Sequence, residues 1–202
     1  LSFLVVGLYE IIPFDGFGCV CENHIKMICK ELGEDVEKER LRELILSGGK
    51  NKYRDAFLKA NRRSLENYAV EMRGAVDSVN PNIRLGFCSC MSSWDIDGDA
   101  YELAKLFAGN TTPLVRLIGA PYWSAGKDEE NRLQAIVELE RMEASWNPYE
   151  EIELIAEGDV YPRPRYYCPA SYLEGFDTAL RASGALDGIL KHTNDKSEAL
   201  YY

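Results

Sequence analysis

The chain has 202 residues, enough to bury one substantial hydrophobic core, and this length predicts one domain or at most two. Its formal net charge of −10 argues against a nucleic-acid-binding function, because phosphate contacts require clustered Lys and Arg. No apolar run approaches the roughly 20 residues that span a membrane. The apolar N-terminal stretch is also too short, and too poor in basic residues, for a signal peptide.

Strands and helices are predicted to alternate along the chain. Runs rich in apolar residues predict five strands, at 3–8, 83–88, 114–119, 152–157 and 188–192. Apolar residues at helical spacing predict six helices, at 22–32, 36–46, 52–79, 100–108, 127–146 and 170–183. This alternation favours parallel pairing and an α/β fold. The tail, 193–202, has no clear periodicity.

Polar or aromatic residues follow every predicted strand. In chain order they are Glu10, the Trp94–Asp95 loop, Tyr122 with Trp123, Glu157 and His192. Active sites of (β/α) barrels collect at the carboxyl ends of all strands, whereas open sheets bind ligands at one switch point. No G-x-G-x-x-G follows any strand, which weakens the case for a dinucleotide-binding open sheet. The pattern therefore favours a barrel domain over residues 1–192 rather than an open doubly wound sheet.

Six cysteines are too few for a disulfide scaffold, but their spacing is informative. Cys19 with Cys21, and Cys88 with Cys90, form two C-x-C pairs, and disulfides at this spacing are strained. We therefore expect reduced thiols or a metal, and a cytoplasmic protein. Cys19, Cys21 and His24 are of the ligand types that zinc prefers, although buried thiols beside a helix start are the alternative. Cys88 and Cys90 are interpreted as packing in the barrel wall.

The C-x-C-x-x-H motif, with Glu10 nine positions before Cys19, resembles a loop of family forty-two glycoside hydrolases and related hydrolases. In that family a strand-end Asn-Glu supplies the general acid, and a C-x-C-x-x-C loop after the fourth barrel strand often holds zinc. Here Tyr9 replaces the Asn and His24 the last Cys. The resemblance implies that the five strands are barrel strands four to eight, so that the first three would lie outside this sequence. It also implies that Glu157 ends strand seven and is the nucleophile.

Glu157 stands where a barrel presents a catalytic acid, at the end of an apolar strand that Gly158 terminates. Retaining hydrolysis of a glycoside needs one carboxylate that attacks and a second that donates a proton. Nearby Arg163 or Arg165 would keep Glu157 ionised, and Tyr161 would donate a hydrogen bond to it. The alternative interpretation is a structural ion pair between Glu157 and an arginine of the rim. Asp159 takes the role if the strand ends later.

Glu10 is the predicted acid/base. It follows an apolar strand, and apolar neighbours such as Ile11 and Phe14 would raise its pKa toward what an acid needs near neutral pH. Asp15 competes for this role, with a turn residue as the alternative. The residues expected to bind a sugar by stacking or hydrogen bonding are Asp15, Trp94, Tyr122, Trp123, Asp159, Tyr161, Arg163, Arg165 and His192.

Together these features predict a retaining glycoside hydrolase that acts on a β-linked sugar, like a β-galactosidase. One alternative is a non-catalytic carbohydrate-binding or scaffold protein with a barrel-derived fold, and another is an open α/β sheet that binds a small phosphorylated ligand. A partial barrel would leave two sheet edges open. We therefore expect either a homo-oligomer or association with a missing N-terminal segment of the same chain.

Overall fold

A computed structural model describes residues 3–7, 19–89, 100–117, 119, 132–158 and 170–190. The strands that it describes are β1 (Phe3–Gly7), β2 (Arg84–Cys88), β3 (Leu114–Arg116), β4 (Glu153–Glu157) and β5 (Gly188–Leu190). All four neighbouring pairs are parallel, which confirms the predicted α/β class. Leu117 extends the β3 ladder by one residue, since its N–H donates to the carbonyl of Ile155 at 2.8 Å.

The strands are arranged in the sheet in their order along the chain, β1-β2-β3-β4-β5. One row across the sheet places Cys88 opposite Arg116, Arg116 opposite Ile155 and Ile155 opposite Gly188. Within this described sheet the order never reverses. The described strands therefore lack the switch point at which an open doubly wound sheet binds its ligands.

The described helices are α1 (Glu22–Leu32), α2 (Lys38–Leu46), α3 (Lys52–Asp77), α4 (Ala100–Ala108), α5 (Arg132–Ser145) and α6 (Ala170–Ser183). Within the described residues, two helix boundaries differ from the prediction by two residues. Helix α2 begins after Val36, whose N–H donates to the thiol of Cys29 at 3.4 Å and so belongs to the preceding loop. Helix α3 ends before Val79, because a tighter turn from Val79 N–H to the Val76 carbonyl closes it. None of the described helices has the length and apolar character required to cross a membrane.

Helices α3 to α6 all pack on the same face of the sheet. Leu85 and Phe87 of β2 meet Phe107 of α4 in one cluster, and Ala156 of β4 meets Phe176 of α6 in another. A right-handed crossover places its helix on a given face according to the direction in which the chain moves across the sheet. Each strand lies next to the preceding one, always in the same direction across the sheet. The connecting helices therefore lie on one face, as in the wall of a barrel.

The opposite face of the sheet carries polar and small residues together with the buried side chains of Leu114 and Ile155. Strand alternation places Arg84, Gly86 and Cys88 of β2 on it, since Leu85 and Phe87 face the helices. A Cβ on Gly86 would lie 2.2 Å from the Cδ2 atom of Leu114, so only glycine leaves room for that leucine. Arg84 also forms an ion pair with Glu153 at 2.6 Å near the amino ends of the strands.

Helices α1 and α2 pack against the first half of α3 and form a second layer with it, whereas the second half of α3 packs on the sheet. The core of this second layer is the cluster of Ile28, Leu41, Ile45, Ala56, Phe57 and Ala60. Asn51 caps α3, because its Oδ1 atom accepts from the N–H groups of Tyr53 and Arg54 at 3.0 and 2.9 Å. Arg54 in turn donates to the carbonyl of Ile45 at 2.9 Å near the end of α2. This layer holds the start of α1 in place.

Candidate functional site

Arg116 and Glu157 form an ion pair at the carboxyl ends of β3 and β4. Glu157 is the last residue of β4 and retains 7% of its exposure, and Arg116 is the last residue of β3. The N–H and hydroxyl of Ser89 both donate to the Arg116 carbonyl, at 3.0 and 3.2 Å, which fixes the backbone there. Glu157 therefore lies at the strand end where it was predicted, with Arg116 as a cationic partner.

Cys88 contacts the other side of the same guanidinium. The Nε atom of Arg116 lies 3.0 Å from the Cys88 sulfur, and the two residues are opposite each other in the β2–β3 ladder. Burial alone would lower the pKa of Arg116, but the charges of Cys88 and Glu157 raise it above its ordinary value. Cys88, interpreted from the sequence as packing in the barrel wall, thus also contacts the guanidinium that pairs with Glu157.

Glu140 on α5 is a second carboxyl group close to this pair. It is fully buried, and a Cβ on Gly119 would lie 2.7 Å from its Cγ atom. Burial first, and then the negative charge of Glu143, raise the pKa of Glu140 to about 9. The charge of Glu157 acts in the same direction, whereas the main chain of Glu157 and the charge of Arg116 act in the other. We call Cys88, Arg116, Glu140 and Glu157 the strand-end cluster.

The strand-end cluster gives its two carboxyl groups different surroundings. Glu157 has a guanidinium partner, whereas burial and nearby negative charges raise the pKa of Glu140 to about 9. A buried carboxyl group that keeps its proton near neutral pH is a common component of acid–base sites. The cluster can therefore pair one carboxyl group with a cation and keep a proton on its neighbour.

Arg116 and Glu140 were not among the predicted site residues, although the sequence carried a signal for each. Arg116 interrupts an otherwise apolar strand, Leu114-Val115-Arg116-Leu117, at a position that faces away from the helices. Glu140 follows Ile136 and Val137 at spacings of four and three, so it lies on the apolar side of its own helix. In both cases a charged residue stands at a position that the apolar residues around it predict to be buried. This pattern would have identified Arg116 and Glu140.

Cys19, Cys21 and His24 form a second candidate site at the start of α1. Their ligand atoms all lie within 4.8 Å of one another, and the Cys21 sulfur lies 3.3 Å from Nδ1 of His24. The backbone N–H and then the imidazole of His24 lower the pKa of the Cys21 thiol to about 6, and the thiolate is the form that ligates a metal. These three residues, which we call the metal-ligand group, could hold a metal ion.

The remaining predicted site residues lie outside the described part of the chain. They are Glu10, Asp15, Trp94, Tyr122, Trp123, Asp159, Tyr161, Arg163, Arg165 and His192. Cys90 lies outside it as well. The structure thus brings together Glu157 with Arg116, and Cys19 and Cys21 with His24, from the positions that it describes.

Comparison of the chain with protein-family models, with curated proteins and with solved structures finds no match. The function is therefore argued from the two candidate sites themselves.

Proposed function

We propose that the protein is a retaining glycoside hydrolase that acts on a β-linked sugar, with Glu157 as the nucleophile. The observation that carries this proposal is the ion pair between Glu157 and Arg116 at the carboxyl ends of two parallel strands. A carboxylate that attacks an anomeric carbon must be ionised, and Arg116 is the counter-ion of Glu157 in the proposed site. Cys88 contacts Arg116 from the other side and helps to fix its orientation.

In the proposed reaction an oxygen of Glu157 forms a bond to the anomeric carbon while the glycosidic C–O bond breaks. Glu10 gives its proton to the departing oxygen and then, as a base, takes a proton from the water that releases the sugar. This pairing requires about 5–5.5 Å between the two carboxyl groups. The aromatic residues predicted to stack on the sugar are Trp94, Tyr122 and Trp123.

The parallel order of the strands and the placement of helices on one face support a (β/α) barrel as the complete architecture. In such a barrel the face that carries Cys88, Arg116 and Glu157 points inward. We propose that a second copy, or a further segment of the same protein, covers the outer strands β1 and β5. The thiols of Cys19, Cys21, Cys29 and Cys88 suit the cytoplasm, which we propose as the location.

The metal-ligand group suits a structural zinc ion, and we propose zinc as its occupant. All three side chains are zinc ligands by type, and the thiolate of Cys21 is already favoured. A structural zinc site has four protein ligands, so in this proposal the fourth is a residue outside the described part of the chain. Zinc here would hold the start of α1 and the loop that precedes it.

The proposal is tested by measuring the turnover of a panel of nitrophenyl β-glycosides by the native protein and by the Glu157→Gln variant. We expect turnover of at least one β-glycoside, and a loss of about a thousand-fold or more in kcat for the variant. Incubation with a 2-deoxy-2-fluoro glycoside of the same sugar should add one glycosyl group to the peptide that contains Glu157, as read by mass spectrometry.

The matched control is Glu153→Gln, because Glu153 lies on the same strand and face and is paired with Arg84 at the opposite end. This variant should keep its turnover. Sugar binding without turnover would instead favour the alternative, a non-catalytic carbohydrate-binding protein. The burial of Glu157 in an ion pair is the observation that favours that alternative.

A further inference from the structure

Helix α5 buries the side chains of two glutamates, Glu140 and Glu143. Glu140 is 0% exposed and Glu143 is 1% exposed, although glutamate is among the residues least often found in a protein interior. The hydroxyl of Tyr101 on α4 donates to the main-chain carbonyl of Glu143, which holds this turn of α5 against the core. The two carboxyl groups are therefore built into the packing between α5 and the sheet.

The carboxyl group of Glu140 occupies a space that Gly119 provides. A Cβ at position 119 would lie 2.9 Å from the Oε1 atom of Glu140, and the backbone there has φ near +152°. Neither carboxylate oxygen of Glu140 makes a hydrogen bond of good geometry with a described residue, although the main-chain N–H of Glu157 is close enough to lower the pKa of Glu140 somewhat. Burial in such a position strongly disfavours an ionised carboxylate.

The charged groups around Glu140 come from three elements. Glu143 lies on its own helix, Glu157 comes from β4, and Arg116 comes from β3 with Cys88 of β2 beyond it. Among the described residues, Arg116 is the cation that acts on Glu140, and its guanidinium already contacts Glu157. Two ionised carboxylates would therefore compete for one guanidinium.

We propose that Glu140 is a positioning residue that keeps its proton near neutral pH and thereby leaves Arg116 to Glu157. Burial and the charge of Glu143, which raise the pKa of Glu140 to about 9, agree with this role. When Glu140 ionises in alkaline solution, its charge competes for Arg116 and loosens the hold on Glu157. The catalytic consequence rests on the proposed glycoside hydrolase function, whereas the charge state of the pair does not.

The experiment follows the carboxyl carbons of ¹³C-labelled glutamate by NMR from pH 6 to 10.5, in the native protein and in three variants. We expect one resonance to titrate with a midpoint of about 9 and to be missing in Glu140→Gln. The Glu157 resonance, assigned from Glu157→Gln, should shift at that same midpoint in the native protein but not in Glu140→Gln. In Glu143→Gln the midpoint should move toward neutral pH, because a negative neighbour is removed.

The matched control is Glu138→Gln, an exposed position on the same helix that pairs with Arg141 and should leave every midpoint in place. If turnover is found, its alkaline limb should share the Glu140 midpoint and move with it in Glu143→Gln. A protein without turnover would overturn the proposed function alone, since the NMR midpoints still decide the charge state. The inference is overturned if no glutamate titrates above about pH 7, or if the Glu157 resonance behaves alike in the native protein and Glu140→Gln.

Discussion

Arg116 and Glu157 are joined across the ends of neighbouring strands with little exposure to solvent, at 13% and 9% of their side chains. Each is an end residue of a short strand, and the contact links β3 to β4 beside the β2 thiol of Cys88. Because water screens this pair so little, loss of one partner leaves a buried charge without its counter-ion. This relationship therefore contributes to the stability of the strand ends.

The first prediction concerns that pair. Arg116→Met should lower the free energy of unfolding by about 3–5 kcal/mol, because it leaves the buried carboxylate of Glu157 without a cation. The double variant Arg116→Met with Glu157→Gln should recover part of this loss. Urea unfolding of the two single variants and the double variant measures the coupling. Arg141→Met, which breaks an exposed pair with Glu138, should change stability by less than about 1 kcal/mol.

The second prediction concerns the pH dependence of stability. An unfolded glutamate titrates near pH 4.3, at about its model-peptide value, whereas the pKa of folded Glu140 is raised to about 9. Between these values the folded protein keeps a proton that the unfolded chain has released. The free energy of unfolding therefore falls as pH rises through this window, by at most about 1.4 kcal/mol per pH unit from this group.

Glu140→Gln removes this contribution, so its stability relative to the native protein should rise steadily from about pH 5 to about pH 9 and then level off. Urea unfolding at several pH values across that window measures the difference. Glu138→Gln serves as the exposed control. Parallel curves for Glu140→Gln and the native protein would show that Glu140 is already ionised at neutral pH.

The third prediction concerns the metal-ligand group. Purified protein should contain zinc, and Cys21→Ser or His24→Ala should lower the zinc content well below that of the native protein. Cys29→Ser is the matched control, because Cys29 lies in α1 but contacts Val36 instead of the metal-ligand group. Metal analysis and thiol titration provide the measurement. Native protein without zinc, with all its thiols reactive, contradicts the prediction.

The fourth prediction concerns Gly86 of β2, which lies on the face of the sheet away from the helices. Gly86→Ala should destabilise the protein by about 1–3 kcal/mol, because its Cβ would overlap Leu114 in a packed region. Gly74→Ala provides a contrast on the exposed surface of α3, where a Cβ meets no atom within 4 Å. That change should stabilise the helix by about 0.5–1 kcal/mol. Thermal unfolding of both variants tests the opposite signs.

The fifth prediction concerns assembly. The described sheet has β1 and β5 as its outer strands, and an outer strand offers N–H and carbonyl groups to another chain. We expect association at micromolar concentration, measured by sedimentation velocity over a range of concentrations. A single monomeric species throughout that range would contradict the proposed covering of these edges by a second copy.

The sequence alone was sufficient to predict the described strands and helices and their parallel pairing. This succeeded because each element carries its own periodicity: Leu85 and Phe87 alternate along β2, and Ile136 and Val137 recur at helical spacing with Glu140 in α5. The strand-end position of Glu157 was equally readable, since the apolar run ends there and Gly158 follows. Likewise, the close spacing of Cys19, Cys21 and His24 on one short segment predicted their convergence.

The tertiary structure alone decided which groups meet Glu157. The sequence pointed to the nearby Arg163 or Arg165 as its cation, whereas the described ion pair uses Arg116 from the preceding strand. Strand register and the packing of α5 against the sheet bring Arg116 and Glu140 to this place from distant positions. The periodicity of apolar residues within one element indicates which of its faces is buried. Which residue of the neighbouring strand lies opposite a given residue depends on the register of the two strands, which periodicity does not give. The charge state of Glu140 depends further on burial and on neighbours that arrive only when the sheet and its helices have assembled.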